Sequence, residues 1–418
     1  MCEEMLRSMN SMLATAAKVV RAGPICDECL GRTFAKLGHG LANGERGHAL
    51  RTVLSMHDVH GKNGTCWVCG GAFEHIEEWA KRSLAMSEGT EFDTYLFGVK
   101  PTPRIIQGEK LFLERFPTDT YEPLKHAFNR EVGKAFETLA GHATVDLSRS
   151  HLSFVIDLSA DLINLKVRSL YAYGRYRKLV RGIPQTRWPC RKCKGVGCAA
   201  CNFTGKQYPE SVEELIAAPF LVAAGADEAH LHGAGREDID ARMLGSGRPF
   251  VLEVVAPHVR SIDLVTLREQ VNTTEVRKVE VTDLHFVSRD TVALVKETHA
   301  EKTYRARVSL ASPVDKERLL SAVSSLVGQI DQRTPRRVAH RRADLVRIRR
   351  LIDAEATIVS PQEVELVLRG EGGLYIKELV SGDEGRTLPS LSGVLGVVAL
   401  VTELDVIDVA AAAFPDSV

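Results

Sequence analysis

Residues 233–250 read GAGREDIDARMLGSGRPF, a stretch dense in glycine, arginine and aspartate that runs into the apolar segment PFVLEVVA at 249–256. Glycine-rich, charged sequence marks a loop, and a short apolar run after it marks a strand. The stretch is therefore a charged loop feeding a sheet. Taken alone, Asp238 and Asp240 are equally readable as loop acids paired with Arg236, Arg242 or Arg248. The rest of the chain decides whether one of them does chemistry.

Further strands are expected at 277–283 (RKVEVTD), 291–296 (TVALVK), 304–310 (YRARVSL), 364–369 (VELVLR) and 396–403 (GVVALVTE). With helices between them, they predict an α+β domain over 167–418 built on a large mixed or antiparallel sheet. Ser211, with Glu214 three residues on, signals a capped helix. Upstream, 73–166 mixes strands (TYLFGV, ATVDLS, SFVIDLS) with one helical run at 121–140, a second α+β module. Residues 1–72 form a small helical region. Met5, Met9, Leu13, Ala16 and Val20 recur at helical spacing there, and Gly23-Pro24 closes the run.

Eight of the nine cysteines fall into four CxxC pairs: Cys26/Cys29, Cys66/Cys69, Cys190/Cys193 and Cys198/Cys201. Two CxxC turns facing one another complete a tetrahedral thiolate site, and four thiolates leave no position open for water. The simplest pairing gives two structural zinc sites. One staples the N-terminal region, and the other is the compact CRKCKGVGCAAC at 190–201. His57 and His60 lie between the first two pairs and are read as surface histidines.

Net charge is zero, with 54 basic and 54 acidic residues, which excludes a uniformly basic coat. The basic residues nevertheless cluster. YGRYRKLVRGIPQTRWPCRK (173–192) contains no acid, and RTPRRVAHRRADLVRIRR (333–350) has only Asp344. Either is a solvated face or a phosphate-binding tract. Tyr171, Tyr173, Tyr176 and Trp188 around the first favour RNA, because aromatic rings stack on unpaired bases. No glycine-rich dinucleotide fingerprint, phosphate loop or HExxH motif is present, so nucleotide-cofactor and catalytic-metal chemistry is disfavoured. Glu3, Glu4, Arg7 and Lys18 break up any N-terminal apolar run, and the longest apolar stretch, 394–401, is too short to span a bilayer. A soluble, cytoplasmic, monomeric protein without a membrane partner is expected.

The string GREDIDARMLGSGRPFVLE (235–253) closely resembles the catalytic loop of the archaeal and eukaryotic tRNA pseudouridine-54/55 synthases. The resemblance runs along nearly the whole chain. CDECLGRTF (26–34), NGERGHALR (43–51) and CWVCGGAF (66–73) resemble the family's zinc region. YGRYRKLVRGIPQTRWPC (173–190), KTYRARV (302–308), RTPRRVAHRRADLVRIR (333–349) and GGLYIKELVSGDEGRT (372–387) resemble its catalytic half. It implies a zinc-stapled, THUMP-containing N-terminal domain followed by a pseudouridine-synthase domain acting on the T-arm of tRNA.

The resemblance also implies roles. Asp238 is the nucleophilic carboxylate, Tyr304 lies on or beside the target base, and Lys377 pairs with the aspartate. Leu391 or Leu395 forms an apolar wall. Arg236, Arg336, Arg337, Arg341 and Arg342, with Arg175, Arg177 and Lys178, contact substrate. The sequence departs from the TruB-type pattern in carrying lysine rather than arginine at 377. A lysine cannot clamp a carboxylate bidentately, so Arg236 or an arginine of 336–342 is expected to supply that fork. Uridine isomerisation needs no redox step and no activated donor, in keeping with the expected absence of an organic cofactor. Attack on the sugar and removal of a sugar proton both remain open as the role of the aspartate. A non-catalytic, zinc-containing RNA-binding protein is the competing reading.

Overall fold

The helical spacing near the N-terminus becomes α1 (Cys2–Ala22), which buries Ala16, Val19 and Val20. The computed structural model describes residues 2–38, 40–273, 277–340 and 343–410. The chain divides into two units, Met1–Arg168 and Ser169–Val418. Among the described residues, no helix is long and apolar enough to cross a membrane.

In the first unit, α2 (Asp27–Arg32) and α3 (Asn43–Ser55) cross so closely that each needs a glycine at the crossing. A Cβ on Gly31 would lie 1.7 Å from the Asn43 carbonyl oxygen, and one on Gly47 would lie 1.9 Å from that of Asp27. Then come α4 (Ile76–Met86), β1 (Thr94–Lys100), α5 (Pro103–Arg115), α6 (Leu124–Ala140), β2 (Thr144–Val145), β3 (Leu152–Asp157) and β4 (Leu162–Val167). The sheet order is β2-β1-β3-β4. Strand β1 runs parallel to β2 and β3, and β4 is antiparallel to β3. Helix α5 was not expected from the sequence, although Pro103 at its first turn and Thr102, whose hydroxyl accepts from the Ile105 amide at 3.2 Å, are its signals. The cysteine region and the sheet share one core, in which Cys29 and Val68 join Phe112, Phe136 and Phe154. Arg32, fully buried, ties α2 to α5 through Glu109 at 2.7 Å.

The second unit comprises β5 (Leu170–Lys178), α7 (Val212–Ala224), β6 (Glu228–Gly233), β7 (Arg242–Val255), α8 (Leu264–Asn272), β8 (Val279–Phe286), α9 (Asp290–Glu297) and β9 (Lys302–Leu310). They are followed by α10 (Lys316–Ser325), β10 (Gly328–Arg333), β11 (Val346–Ser360), β12 (Glu363–Gly370), α11 (Ile376–Ser381), β13 (Thr387–Leu388), α12 (Leu391–Leu395) and β14 (Ala399–Val409). One mixed sheet runs β13-β10-β11-β12-β9-β14-β7-β5-β8, with β6 also paired to β7. The fold is thus α+β. Ser211 caps α7 as its sequence predicts, accepting from the Glu214 amide at 3.2 Å and donating to its carboxylate at 2.9 Å.

One strand expectation fails. TVALVK is helix α9, with Asp290 in its first turn and Thr291 and Val295 buried one turn apart. A short apolar run fits helix and strand equally, and here the four-residue spacing wins.

The middle of this sheet builds the site. In β9, Lys302, Tyr304, Ala306, Val308 and Leu310 alternate onto one buried face, and Tyr304 lies level with Val406 of β14. Strand β7 is in register with β14 only at Arg242 and Met243, then diverges to pair with β5 and β6. Gly245 sits at that divergence with φ +57°, where a Cβ would lie 1.7 Å from the Ile407 carbonyl oxygen.

Gly31→Ala separates packing from helix propensity. In an open helix the change would stabilise by about 1 kcal/mol. Here it is expected to lower stability by about 2 kcal/mol or more, because backbone cannot step aside as a flexible side chain can. Denaturant melts of the purified protein give the sign.

Candidate active site

The loop joining β6 to β7 carries Asp238, one-third exposed. Arg337 Nη1 lies 3.1 Å from each of its carboxylate oxygens, and Lys377 Nζ lies 3.4 Å from Oδ2. Arg337 comes from the turn after β10 and is itself held by Glu378, with Nε at 2.6 Å from Oε1 and Nη2 at 3.4 Å from Oε2. The bidentate edge of the guanidinium is thus spent on Glu378, and its remaining nitrogen spans Asp238. This is the arginine that the lysine at 377 called for, although it grips the aspartate through one nitrogen rather than two. Lys377, at the start of α11, sits nearer to Asp240, at 2.7 and 3.0 Å from its two oxygens.

Beneath this loop lies a buried charged cluster that sequence reasoning missed. Glu237 accepts from the Tyr176 hydroxyl at 2.8 and 3.1 Å and from Arg248 Nε at 2.9 Å. Arg248 also donates to the Ala234 carbonyl at 2.7 Å. Gln185 donates to the Tyr176 hydroxyl at 2.8 Å and to the Gly235 carbonyl at 3.0 Å. Lys178 donates to the carbonyls of Ile183, Asp238 and Ile239 at 3.0, 3.1 and 3.3 Å. Both ends of the loop are therefore pinned from below. Glu237 is the residue next to the expected nucleophile. Nothing in the sequence says which of two adjacent acids turns inward.

Above the cluster is a cleft of about 240 Å³, lined by Asp238, Arg236, Arg248, Lys302, Tyr304, Arg337, Tyr375 and Lys377. Its apolar walls are Val338, Leu374, Ile376, Leu404 and Val406. It lies below the roughly 300 Å³ at which drug-sized sites begin, so it takes one small group. A second recess opens beside it, between Trp188, Gln185, Arg236, Asp238, Asp240, Arg337 and Lys377. Asp238 borders both, whereas Asp240 borders only the second.

Asp238, Tyr304, Lys377, Arg236 and Arg337 are thus brought together, and several other expected site residues are not. Leu391 and Leu395 are buried in the domain core outside both cavities. Ile376 and Leu404, which do line the cleft, were not singled out. Arg175 is buried and donates to the Ser246, Gly247 and Val409 carbonyls, so it staples strands rather than contacting substrate. Lys178 is likewise buried, on the underside of the loop. Arg177 pairs with Glu280 and Arg336 with Glu384, away from the cleft. Arg341 and Arg342 lie outside the described residues.

Burial controls protonation here. It raises the Tyr304 phenol to about 12, against the opposing influence of Arg248, so the ring is neutral. It lowers Lys302 to about 8, with Arg248 adding repulsion. It also opposes the charge of Arg337, but the Glu378 hydrogen bonds and charge outweigh it and the guanidinium is held more firmly protonated than usual.

The cysteines gather into two tetrads, Cys26/Cys29/Cys66/Cys69 and Cys190/Cys193/Cys198/Cys201, whose sulfurs all lie within 4.8 Å of one another in each. The Cys26–Cys69 separation is 3.6 Å, and those of Cys193–Cys201 and Cys198–Cys201 are 3.8 Å. A Zn–S bond of about 2.3 Å gives a tetrahedral edge of about 3.8 Å, so the spacing suits a metal ion. Amides aim at the sulfurs: Gly197 N at Cys193, and Cys198 N and Gly205 N at Cys201. Burial opposes ionisation of Cys201, but the amides of Cys198 and Gly205 outweigh it and hold the thiol down to about 6. Both tetrads are placed to hold a structural metal.

Comparison with known proteins defines the class first. Residues 79–157 match the model described as "Pus10 THUMP domain, archaeal", so the first unit carries a THUMP domain, and residues 171–410 match "Pus10, C-terminal". The chain is 44% identical to a protein of Methanothrix thermoacetophila, over 96% of this chain and 95% of that one. It is 46% identical to one of Halorubrum lacusprofundi, over 95% and 96%. Both relatives bear the name tRNA pseudouridine synthase Pus10. A chain from a crystal structure of a Cbf5-Nop10-Gar1 complex aligns with 56% of this chain and 48% of its own, at 16% identity and a TM-score of 0.32. The chain belongs to the Pus10 family.

Lys302 yields a pH test. Its folded value lies below the usual lysine value, so between about pH 8 and 10 the unfolded chain binds more protons and this residue's contribution to stability rises with pH. Below pH 8 its buried charge costs on the order of 3 kcal/mol, at about 1.4 kcal/mol for each tenfold loss of proton affinity. Lys302→Met is expected to melt above wild type at pH 7, with the gap closing by about pH 10. A pH-independent gap would mean that the ammonium is not destabilised by burial.

Proposed function

We propose that this chain is a tRNA pseudouridine synthase that isomerises uridine in the T-loop, at position 54, 55 or both, with Asp238 as the nucleophile. Membership of the family supports the activity. The observation that carries the residue assignment is that Asp238 is the aspartate bordering the cleft, held by Arg337 and Lys377 and facing a space walled by Tyr304, Ile376, Leu404 and Val406.

The ionised Asp238 attacks C1′ of the target nucleotide. The C1′–N1 bond breaks and its electron pair leaves with the uracil. The detached base turns within the cleft, whose apolar walls and Tyr304 keep it near, so that C5 re-adds as in an intramolecular reaction. As the C1′–C5 bond forms, the carboxylate leaves C1′. The C5 proton is then lost to solvent and N1 takes one up, so that the product is an isomer of the substrate and no redox step occurs. A cleft of this size admits one base that has left its stack, which favours a loop nucleotide over a paired one. We further assign zinc to both cysteine tetrads, as structural ions that take no part in this step.

Two measurements test these assignments. Asp238→Asn is expected to cut tritium release from 5-³H-uridine tRNA by more than about a thousandfold, as loss of a nucleophile does elsewhere. Asp240→Asn should retain most of it, and the reverse result would transfer the role to Asp240. Transcripts with cytidine at 54 or at 55 show which position reacts. Elemental analysis is expected to give two zinc ions per chain, with Cys29→Ser giving one and a lower melting temperature, because structural zinc binding is folding free energy. Less than one ion per chain would remove both metal assignments.

A further inference from the structure

Isomerisation by Asp238 leaves one charged side chain of the cleft without a task. Lys302 opens β9, shares its buried face with Tyr304 and is 9% exposed. Among the described residues, its Nζ has one hydrogen-bond partner, the Ala300 carbonyl at 3.2 Å, and no carboxylate partner. The charge that acts on it is that of Arg248, which repels it. Its neighbours across the sheet, Gly370 of β12 and Val409 of β14, offer no counter-charge. A buried cation left without a counter-charge costs the fold stability, and such groups cluster at functional sites.

The ammonium lies close to the loop that carries Asp238. A Cβ on Gly235 would stand 3.9 Å from Lys302 Nζ and 3.2 Å from Arg248 Nη1, and both cations line the cleft. Arg337 and Lys377 stand at the carboxylate instead. Side chains two apart on one face of a strand are about 7 Å apart, so a base held against the Tyr304 ring brings an edge within reach of Lys302. Breaking C1′–N1 needs more than a nucleophile. The electron pair that leaves with the base spreads from N1 onto the carbonyl oxygens of the uracil anion. In a small cleft with apolar walls that charge is costly without a donor, and a donor fixed in place before reaction is worth most there.

We propose that Lys302 is a further catalytic residue of the isomerisation: its ammonium donates a hydrogen bond to a carbonyl oxygen of the departing uracil and stabilises the anion while the base is detached. The Arg248 guanidinium beside it adds to the same field. The proposal rests on the isomerase reading, with Asp238 as nucleophile. The C1′–N1 electron pair goes to the uracil, no bond to Lys302 forms, and the ammonium keeps its proton. The negative charge leaves the base when C5 bonds to C1′ and the carboxylate is released. Lys302 thus acts on the leaving group, whereas Arg337 and Lys377 act on the nucleophile.

The test uses the full-length protein in excess over tRNA transcripts containing either uridine or 5-fluorouridine, and follows loss of the starting nucleoside in a single turnover. Lys302→Met, expected to fold at least as stably as wild type, should bind the uridine transcript within about twofold of wild type and consume uridine about a hundredfold more slowly. Lys302→Gln, which keeps a donor but not the charge, should fall between the two. Fluorine at C5 withdraws electrons and makes the base a better leaving group. The deficit of Lys302→Met on 5-fluorouridine should therefore shrink to about tenfold. Wild-type rates in both variants overturn the proposal. So does an equal deficit on the two bases, or a loss confined to binding. Uridine left intact by the wild-type protein would instead remove the isomerase reading, and this role with it.

Discussion

The ion pair between Glu237 and Arg248, buried on both sides, is the constraint on which the rest of the site depends. Two charges taken out of water persist only if their remaining hydrogen-bonding capacity is met. Tyr176, Gln185 and the Ala234 carbonyl meet it, and Lys178 adds a third charge 3.8 Å from Glu237. The cluster couples β5 and β7 to the loop that carries Asp238. Because Glu237 must turn inward to complete it, its neighbour Asp238 is turned toward the cleft. A hydrophobic floor would support the sheet as well but would leave the loop's direction unspecified.

The surface charges follow a related logic. Glu378, almost fully buried, holds Arg337 by its forked edge, so one guanidinium nitrogen is left over at a fixed place. Lys377 bridges two acids and fixes neither as firmly. The aspartate is thereby placed between a rigid cation and an adaptable one.

Much of this was legible in the sequence, and the failures have physical causes. The paired CxxC spacing located both tetrads, because metal geometry is written in local spacing. The GRED loop, Tyr304 and Lys377 came from their surrounding motifs and do meet in one cleft. Charge type misled where burial reversed it. Arg175 and Lys178 sit in a basic tract, but strand β5 is buried along both faces, and carbonyl oxygens accept from both side chains there. VRIRR, part of the second basic tract, is strand β11, which its arginine content conceals. The apolar wall was assigned to Leu391 and Leu395, whereas Leu404 and Ile376 provide it. Composition cannot separate leucines of a core helix from those of a strand that borders a cavity.

The two cysteine tetrads differ in how much chain they gather. Thirty-six residues lie between Cys29 and Cys66 but only four between Cys193 and Cys198. By loop-closure entropy, the wider span costs about 2 kcal/mol more to close. An ion in the first tetrad therefore stands in for long-range contacts, and its loss is an unfolding event for the unit around it. An ion in the second closes a local turn and can exchange while the sheet beneath stays folded. The same four-thiolate chemistry is a foundation in one half of the molecule and a detachable fitting in the other.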